Sequence, residues 1–353
     1  MNFILRLISI IASFALLLAA YGGRVDPTIW TLPSLATLAL PVVTMIVLAL
    51  LALMLLFKRW RSAVILVGAL CLSWPTLRLI SPFNFTHPTA QEPQLKVLTM
   101  NVTEFNWQHD QDQPSKNMRY ILDQDADIVA IQEGLVYFSY EEQPRLKTML
   151  EELYRKYPYR KKAFFDVGIL SKYPFTEVHS PAVASDSLSY FIKAWDVETP
   201  TRDIRVVSMH LSSLRFNLNE SNVIESMNIP SGRKRRIRSV ARKLDDGFRV
   251  HARQAKAMRQ LLDETAGDVL VLGDMNDTPG SFAYRTLCGD DLKDAWADAG
   301  CGPIYTYNAH HLFVKIDHIF YRGDMRVVTC RRDKAGESDH YPLVATFDWP
   351  QTH

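Results

Sequence analysis

The sequence predicts an α/β domain of packed mixed sheets with outer helices, carried behind about three transmembrane helices. Composition splits near residue 81: Leu, Ile, Val and Ala dominate up to Ile80, whereas charge, turn residues and strand-length apolar runs alternate from Ser81 onward. Those runs are separated by occasional helical patterns without repeating βαβ units, which favours mixed sheets over a doubly wound parallel sheet. Several runs also begin or end in a carboxylate, amide or imidazole, the usual way an α/β scaffold aims polar groups into one cleft.

The chain has 353 residues and must be read in two parts. Phe3 to Ala20 is apolar except for Arg6 and two serines, close to the roughly 20 residues that cross a bilayer. A cleaved signal peptide is the competing reading, since Arg6 makes a positive start and Ala19 and Ala20 are small, although Leu18 fits a cleavage site poorly. Leu35 to Phe57 carries no charge, and Pro41 within it is tolerated in membrane helices. Ser62 to Ile80 is shorter and ends near Trp74, Pro75 and Arg78, as a third span does at an interface. Lys58, Arg59 and Arg61 fill the link between the second and third spans and should face the cytoplasm, which places everything after Ile80 outside it. None of the spans has an acidic residue or breaks at matched positions, so they read as an anchor rather than a transporter.

Residues 1–80 are therefore expected to be the anchor, 81–93 a Pro-, Thr-, Asn- and Gln-rich linker, and 94–353 the soluble domain. Net charge is +2, too balanced for a general claim about polyanionic partners. Cys71, Cys288, Cys301 and Cys330 lack zinc-ligand spacing; Cys288 and Cys301 are either free thiols or, in an oxidising compartment, a disulfide.

In the soluble part, Leu95 to Asn101 reads as a buried strand ending in an amide. A helical stretch around Met118 to Gln124 precedes the strand Asp127 to Glu133, which ends in a carboxylate. Val167 to Ser171 and Ser189 to Val197 are strand-like, and Asp203 to His210 is a strand ending in histidine. Arg253 to Leu262 has helical spacing and leads into the strand Asp268 to Gly273, from whose end Asp274 and Asn276 project. Ile316 to Tyr321, Arg326 to Cys330 and Tyr341 to Phe347 complete the strands. Taken singly, each polar strand end is as well explained by a turn or a solvated terminus. Their fixed order carries the information.

In that order, Asn101, Glu133, His210, Asp274 with Asn276, Asp317, and Asp339 with His340 resemble the motifs of the endonuclease/exonuclease/phosphatase superfamily across residues 95 to 348. The soluble part is also similar to a bacterial branch of membrane-anchored members. The resemblance implies the DNase-I-like four-layer α-β-β-α sandwich. It implies that Glu133, Asp339 and Asn101 hold Mg²⁺ or Mn²⁺, an ion that prefers oxygen and keeps several waters. It further implies that Asp317 orients His340 near the scissile phosphate, that Asp274 orients or deprotonates the attacking water, that Asn276 holds this water or a phosphate oxygen, and that His210 donates to a phosphate oxygen as charge builds. Asp274 and the Asp317–His340 pair both remain open as general base. Relatives carry an acidic residue near the strand matching Val167 to Ser171 that steers the first histidine; only Asp166 is nearby, its register is open, and it stays outside the core set. His318 reads as structural.

Between His210 and Phe248 lies the basic run Arg233-Lys234-Arg235-Arg236, followed by Arg238, Arg242 and Lys243, either a solvated helix face or an anion-binding rim. Aromatics for stacking bases are not interleaved with it. The expected function is a membrane-anchored, Mg- or Mn-dependent phosphoesterase that acts outside the cytoplasm, in a bacterial plasma membrane, on a lipid headgroup, nucleotide or nucleic acid. A metal-dependent endo- or exonuclease and a catalytically silent phosphate-binding module are the alternatives. Substrate identity and oligomeric state are not legible.

Overall fold

The computed structural model describes the chain except residues 1, 87, 93, 104–114, 135–146, 162–165, 185–187, 189, 214–232, 310–312, 335 and 350–353. The chain forms two compact units, one of residues 1–79, 213–256 and 277–287, the other of residues 80–212, 257–276 and 288–353.

In the second unit, twelve described strands form two six-stranded sheets. The first sheet contains β1 (Gln94–Asn101), β2 (Ile128–Gln132), β3 (Tyr159–Lys161), β4 (Val167–Ser171), β11 (Arg326–Arg332) and β12 (Leu343–Asp348), in the order β11-β12-β1-β2-β4-β3. The second contains β5 (Phe175–Val178), β6 (Ile192–Glu198), β7 (Asp203–His210), β8 (Val269–Asp274), β9 (Lys293–Asp294) and β10 (Asp317–Arg322), in the order β5-β6-β7-β8-β10-β9. Only β1–β2 and β7–β8 are parallel among the pairs that concern the site. These are mixed sheets, as expected.

Both faces of the first sheet are buried, and the period-2 alternation of strands sorts its residues. Leu95 and Val97 of β1, Ile128 and Ala130 of β2, and Ile169 of β4 join Trp195, Val206, Leu270, Leu272 and Ile319 of the other sheet in one core. Their neighbours Leu98, Met100, Val129, Ile131 and Leu170 turn the opposite way, into a second core with α5 (Lys116–Gln124) and α6 (Lys147–Lys156). Ser115 caps α5, its hydroxyl accepting from the Met118 amide, and Asp125 ends it in the left-handed region. Two sheets face to face with helices outside fit the DNase-I-like sandwich.

The segment expected to be a linker is hydrogen-bonded to this unit. Asn84 donates to the Ala297 and Gly300 carbonyls at 3.0 and 2.8 Å, Gly302 donates to Pro82, and the Gln91 amide reaches Asp348 at 2.8 Å. Cys288 and Cys301 are unbridged.

In the first unit, α1 (Asn2–Tyr21), α3 (Leu40–Leu56) and α4 (Trp60–Leu77) pack on one another, with α2 (Leu32–Leu38) against α1. Residues 3–24 and 60–77 are helices long and apolar enough to cross a membrane. The run expected as one span from Leu35 to Phe57 is divided: α2 and α3 meet at 64° around Ala39, and together make a third candidate span. Pro41 sits in the first turn of α3, where its missing N–H costs nothing but where continuation from the preceding helix is blocked. Polar side chains inside the helices return their hydroxyl protons to the backbone: Ser9 to Leu5 at 2.9 Å and Thr44 to Leu40 at 2.7 Å. The long helix α7 (Arg233–Asp263) runs well beyond the expected Arg253 to Leu262 and includes the basic run; the side chains of Arg233 to Arg236 lie outside the described residues.

Candidate active site

Strand direction gathers the polar ends. In parallel β1 and β2, Asn101 pairs with Gln132, one residue before Glu133; in parallel β7 and β8, His210 pairs with Asp274. β10 runs antiparallel to β8, so its first residue, Asp317, pairs with that same Asp274. β12 runs antiparallel to β1, so the residues leading into it, including His340, arrive where β1 ends. Four strand C-termini and two strand approaches therefore meet at one rim of the sandwich.

Gly273 permits the closest of these approaches. It has φ of +140°, and a Cβ there would lie 1.9 Å from the Met209 carbonyl oxygen, so only glycine lets β8 lie this tightly beside β7. Glu133, Asn276 and Thr103 take positive φ without being glycine, at +51°, +50° and +45°. Each costs about 1 kcal/mol or more and persists only where local bonds enforce it. The Glu133 amide donates to Asp166 at 2.9 Å. The Asn276 amide donates to Asp274 Oδ1 at 2.7 Å, and its Nδ2 donates to Leu211 at 2.9 Å.

Around these strand ends the side chains form one network. Asn101 Nδ2 donates to Glu133 Oε1 at 2.9 Å and to Asp274 Oδ2 at 3.3 Å, while its Oδ1 accepts the Thr103 amide at 3.1 Å. Thr103 Oγ1 donates to Asp339 Oδ1 at 2.9 Å. Glu133 and Asp339 are thus joined through Asn101 and Thr103 and do not point to separate surfaces. Ser338 ties the motif to β1, donating to the Asn101 carbonyl at 2.7 Å and accepting the His340 amide at 3.0 Å.

Two histidines approach the same oxygen of Asp274. His340 Nδ1 is 2.9 Å from Asp317 Oδ2 and its Nε2 is 3.7 Å from Asp274 Oδ2. His210 Nδ1 is hydrogen-bonded to Asp166, and its Nε2 lies 3.6 Å from Asp274 Oδ2 and 3.8 Å from Glu133 Oε1. Asp274, Asp317 and His340 offer ligand atoms within 4.8 Å of one another, but the hydrogen bond between two of them makes this a proton-handling trio first.

Burial opposes the charge on both imidazoles, and the carboxylates outweigh it. His340 is pushed up to about 10 by the charges of Asp317 and Asp274 and the Asp317 hydrogen bond. His210 is pushed up to about 9 by the Asp166 hydrogen bond and by Asp274. Asp274, fully enclosed, rises to about 6 because burial and Asp317 disfavour its charge more than the two histidines favour it. Tyr307 edges against the His340 ring, with centroids 4.9 Å apart; burial and then Asp339, Asp274 and Glu133 push its phenol up to about 12. One hydroxyl that feels three carboxylates marks how closely they converge.

The donor set suits a hard divalent cation. Glu133, Asp339 and Asp274 supply carboxylate oxygen, Asn101 Oδ1 has a second lone pair beyond the Thr103 bond, and the Glu133 side chain is 37 % exposed, open to solvent. Concentrating Glu133, Asp274, Asp317 and Asp339 in one rim is costly unless positive charge offsets it, which two imidazoliums do only in part.

All eight residues expected from the sequence lie at this rim. Asp166, left outside the core set, is the partner of His210: β4 pairs with β2 so that Val167 faces Gln132, which sets Asp166 beside Glu133. Thr103, Thr306 and Tyr307 were not foreseen. Thr306 Oγ1 accepts the amides of both Ile316 and Asp317 at 3.0 Å, and its carbonyl accepts the amide of Tyr341. His318 is fully buried, stacked on Phe320 and 3.3 Å from Asp294, away from the rim network.

The sequence profile of the Endonuclease/Exonuclease/phosphatase family matches residues 105–340. The chain belongs to that family. Membership supports a phosphoesterase- or nuclease-type hydrolase, and divalent metals are typical of such enzymes. A second profile, a domain of unknown function (DUF8431), matches residues 2–80. No curated protein matches the chain. Among solved structures, the chain is similar to an endonuclease/exonuclease/phosphatase family protein from Leptotrichia buccalis, at 17 % identity and a TM-score of 0.47, covering 72 % of this chain and 99 % of that one. A Bacteroides vulgatus family member is similar at 17 % identity and a TM-score of 0.46, covering 73 % and 100 %. D. rerio TDP2, solved with a single-strand DNA product, is similar at 15 % identity and a TM-score of 0.47, covering 73 % and 100 %.

Proposed function

We propose that this chain is a membrane-anchored phosphoesterase, dependent on Mg²⁺ or Mn²⁺, that hydrolyses a phosphodiester or phosphomonoester outside the cytoplasm. The observation that carries the reading is the pair of imidazoles facing Asp274, each backed by its own carboxylate, His340 by Asp317 and His210 by Asp166. A phosphoester is anionic and gains charge on its oxygens as it reacts, so fixed cationic donors lower the barrier. Both histidines are held protonated through neutral pH and aim Nε2 into the rim. Asp274, raised but still ionised at neutral pH, sits between them to orient an attacking water and take its proton. Asn276 fixes the Asp274 carboxylate through its amide. Glu133, Asp339 and Asn101 would hold the divalent ion, which supplies charge neutralisation at the phosphoryl oxygens and a more acidic water.

Anchoring is supported by the apolar side chains that the first unit leaves exposed. Phe3, Ile11, Phe14, Leu56, Val64 and Leu72 are all more than half exposed on α1, α3 and α4, a surface that suits lipid and not water. Orientation is supported by charge and by contacts within that unit. Lys58 and Arg59 occupy the α3–α4 link and Arg61 the first turn of α4, and such residues favour the cytoplasmic side. The opposite end of α4, at Thr76, and the end of α1, at Ala20, both bond to Arg285 and so share the other side.

The test is hydrolysis of bis-p-nitrophenyl phosphate by the full chain in detergent with Mg²⁺ or Mn²⁺. Activity should vanish on chelation by EDTA and in His340→Ala; activity that survives both would overturn the assignment. Plasmid and single-stranded DNA in the same assay separate an anchored nuclease from a lipid- or nucleotide-directed enzyme. A reporter active only outside the cytoplasm, fused after His353, should work, whereas an active fusion after Arg61 reverses the orientation.

A further inference from the structure

The chain that leaves the catalytic turn does not run into solvent. Residues 277–287 follow Asn276 directly and belong to the same compact unit as the N-terminal helices. The contacts there are specific and buried. The last carbonyls of a helix have no partner within it. At the end of α1, the Ala20 carbonyl accepts from Thr76 Oγ1 at 2.9 Å and from Arg285 Nη2 at 3.0 Å; the same Nη2 donates to Thr76 Oγ1 at 2.9 Å. A guanidinium at a helix C-terminus also meets the negative end of its dipole. Arg285 Nε donates to the Gly280 carbonyl at 3.0 Å, closing the loop on itself.

Packing at this seat leaves no room for another methyl group. A Cβ on Gly23, just after α1, would lie 2.0 Å from the Gly280 carbonyl oxygen, and one on Gly280 would lie 2.6 Å from Thr76 Cγ2. Thr76, Ala20, Asp277 and Ser281 are buried. The neighbouring stretch of α7 is fastened to the same ends: Lys256 pairs with Asp26 at 2.6 Å, Arg249 donates to the Thr28 carbonyl at 2.7 Å, and Thr31 bonds to Asp245. A simple tether needs none of this chemistry.

We infer that residues 2–80 are a docking seat as well as an anchor, and that Thr76 and Arg285 are positioning residues that fix residues 277–287 and, through the chain, the turn bearing Asp274 and Asn276. The positioning half rests on the proposed function; the docking half does not. Such a role gives the domain of unknown function a task beyond insertion, because the ends of its helices complete the support of a catalytic loop.

The full chain in its membrane tests both halves. With Cys71, Cys288, Cys301 and Cys330 replaced by Ala, Thr76→Cys and Gly280→Cys place sulfur on atoms whose Cβ separation is 3.9 Å, inside the range a disulfide needs. Mild oxidation should link the two segments, shown by a peptide bridging residues 76 and 280. Because Gly280 has φ of +84° and resents a side chain, the second measurement uses other positions. Thr76→Val and Arg285→Ala should lower kcat by about 10-fold to 100-fold at nearly constant KM, the cost of misplacing a reacting group by about 1 Å. Thr76→Ser, which keeps the hydroxyl, should restore kcat. Failure to crosslink in folded protein overturns the docking, and unchanged kcat in Thr76→Val and Arg285→Ala overturns the positioning. An unmodified chain inactive on every phosphoester would sink the functional reading, while the crosslink would still decide the docking.

Discussion

Asp317 Oδ2 lies 2.9 Å from Nδ1 of His340, and this bond turns the other ring nitrogen towards Asp274, 3.7 Å away. Asp317 is itself fixed: its amide bonds to Thr306, and its position opposite Asp274 is set by the β8–β10 register. The dyad is therefore built from backbone outward and does not depend on the substrate to form.

Asp317→Asn keeps the shape but removes the charge that favours the His340 imidazolium. We expect kcat to fall by about 100-fold or more, in the range of a lost general acid–base group, with the fold unchanged. Steady-state kinetics beside a circular dichroism spectrum checks this; activity within a few-fold of the parent would remove Asp317 from the mechanism.

Asp166→Asn should move the basic limb of the pH profile. His210 is protonated below about 9 because the Asp166 bond and nearby carboxylates outweigh its burial, so donation by its imidazolium is present at neutral pH and lost as pH rises through that value. Removing the Asp166 charge lowers the folded value, and activity should then decline at lower pH than in the parent. Rate profiles from pH 6 to 10 at one fixed metal concentration decide the point, since an unshifted limb assigns it to another group.

Legibility divides along physical lines. Asn101, His210, Asp274 and Asp317 were readable because each begins or ends a strand-length apolar run, so the sequence itself places them at strand ends. Asp166 was not readable as a partner, because a sequence does not give strand register and only the β2–β4 pairing sets residue 166 beside residue 133. Thr306 and Tyr307 lie in a segment without periodicity, and nothing local in the sequence says that the Thr306 hydroxyl will accept the Ile316 and Asp317 amides or that the Tyr307 ring will edge against His340. The first half of α7 went unread because charge dominates it, and its apolar spacing, Ile237, Val240, Leu244 and Phe248, is thin beside the basic run. The break between α2 and α3 was signalled by Pro41, read there as a tolerated residue inside one span.

Gly273→Ala should damage stability and activity together. The added methyl meets the Met209 carbonyl oxygen and forces β7 from β8 where His210 and Asp274 pair. Overpacking of this kind costs about 1–3 kcal/mol. A lower denaturant midpoint with activity reduced in the surviving folded fraction is expected; normal activity per folded molecule would show that the spacing of these strands is not critical.

Away from the rim, Lys315 and Asp294 form a fully buried ion pair at 2.6 Å, and Asp294 also caps α8 (Ala295–Ala299) through the Trp296 and Ala297 amides. Burial works against the Asp294 charge, but Lys315 and His318 overcome it and hold the carboxyl far below its usual range. A depressed folded value contributes stability that is complete above the unfolded value near 4 and lost as pH falls below it. Lys315→Met leaves the buried carboxylate without its cation and should cost about 3–5 kcal/mol at pH 7. Urea melts of parent and variant at pH 7 and pH 3.5 should show the difference shrinking at the lower pH, and a constant difference would mean that packing, not charge, is what Lys315 supplies.

The proposed roles of Glu133 and His210 separate ion binding from charge donation. Glu133 offers solvent-facing carboxylate oxygen and is steered by Asn101, whereas His210, held protonated by Asp166, has no lone pair to give a metal. Glu133→Gln should therefore weaken Mn²⁺ binding by about 10-fold or more, the loss typical when a ligand or its close support is removed. His210→Ala should bind the ion at least as well as the parent, because a positive charge 3.8 Å from Glu133 is gone. Calorimetric titration of both variants with Mn²⁺ tests the split: equal losses would show that His210 shares in holding the ion, and no loss in Glu133→Gln would move the cation to the Asp274, Asp317 and His340 group instead.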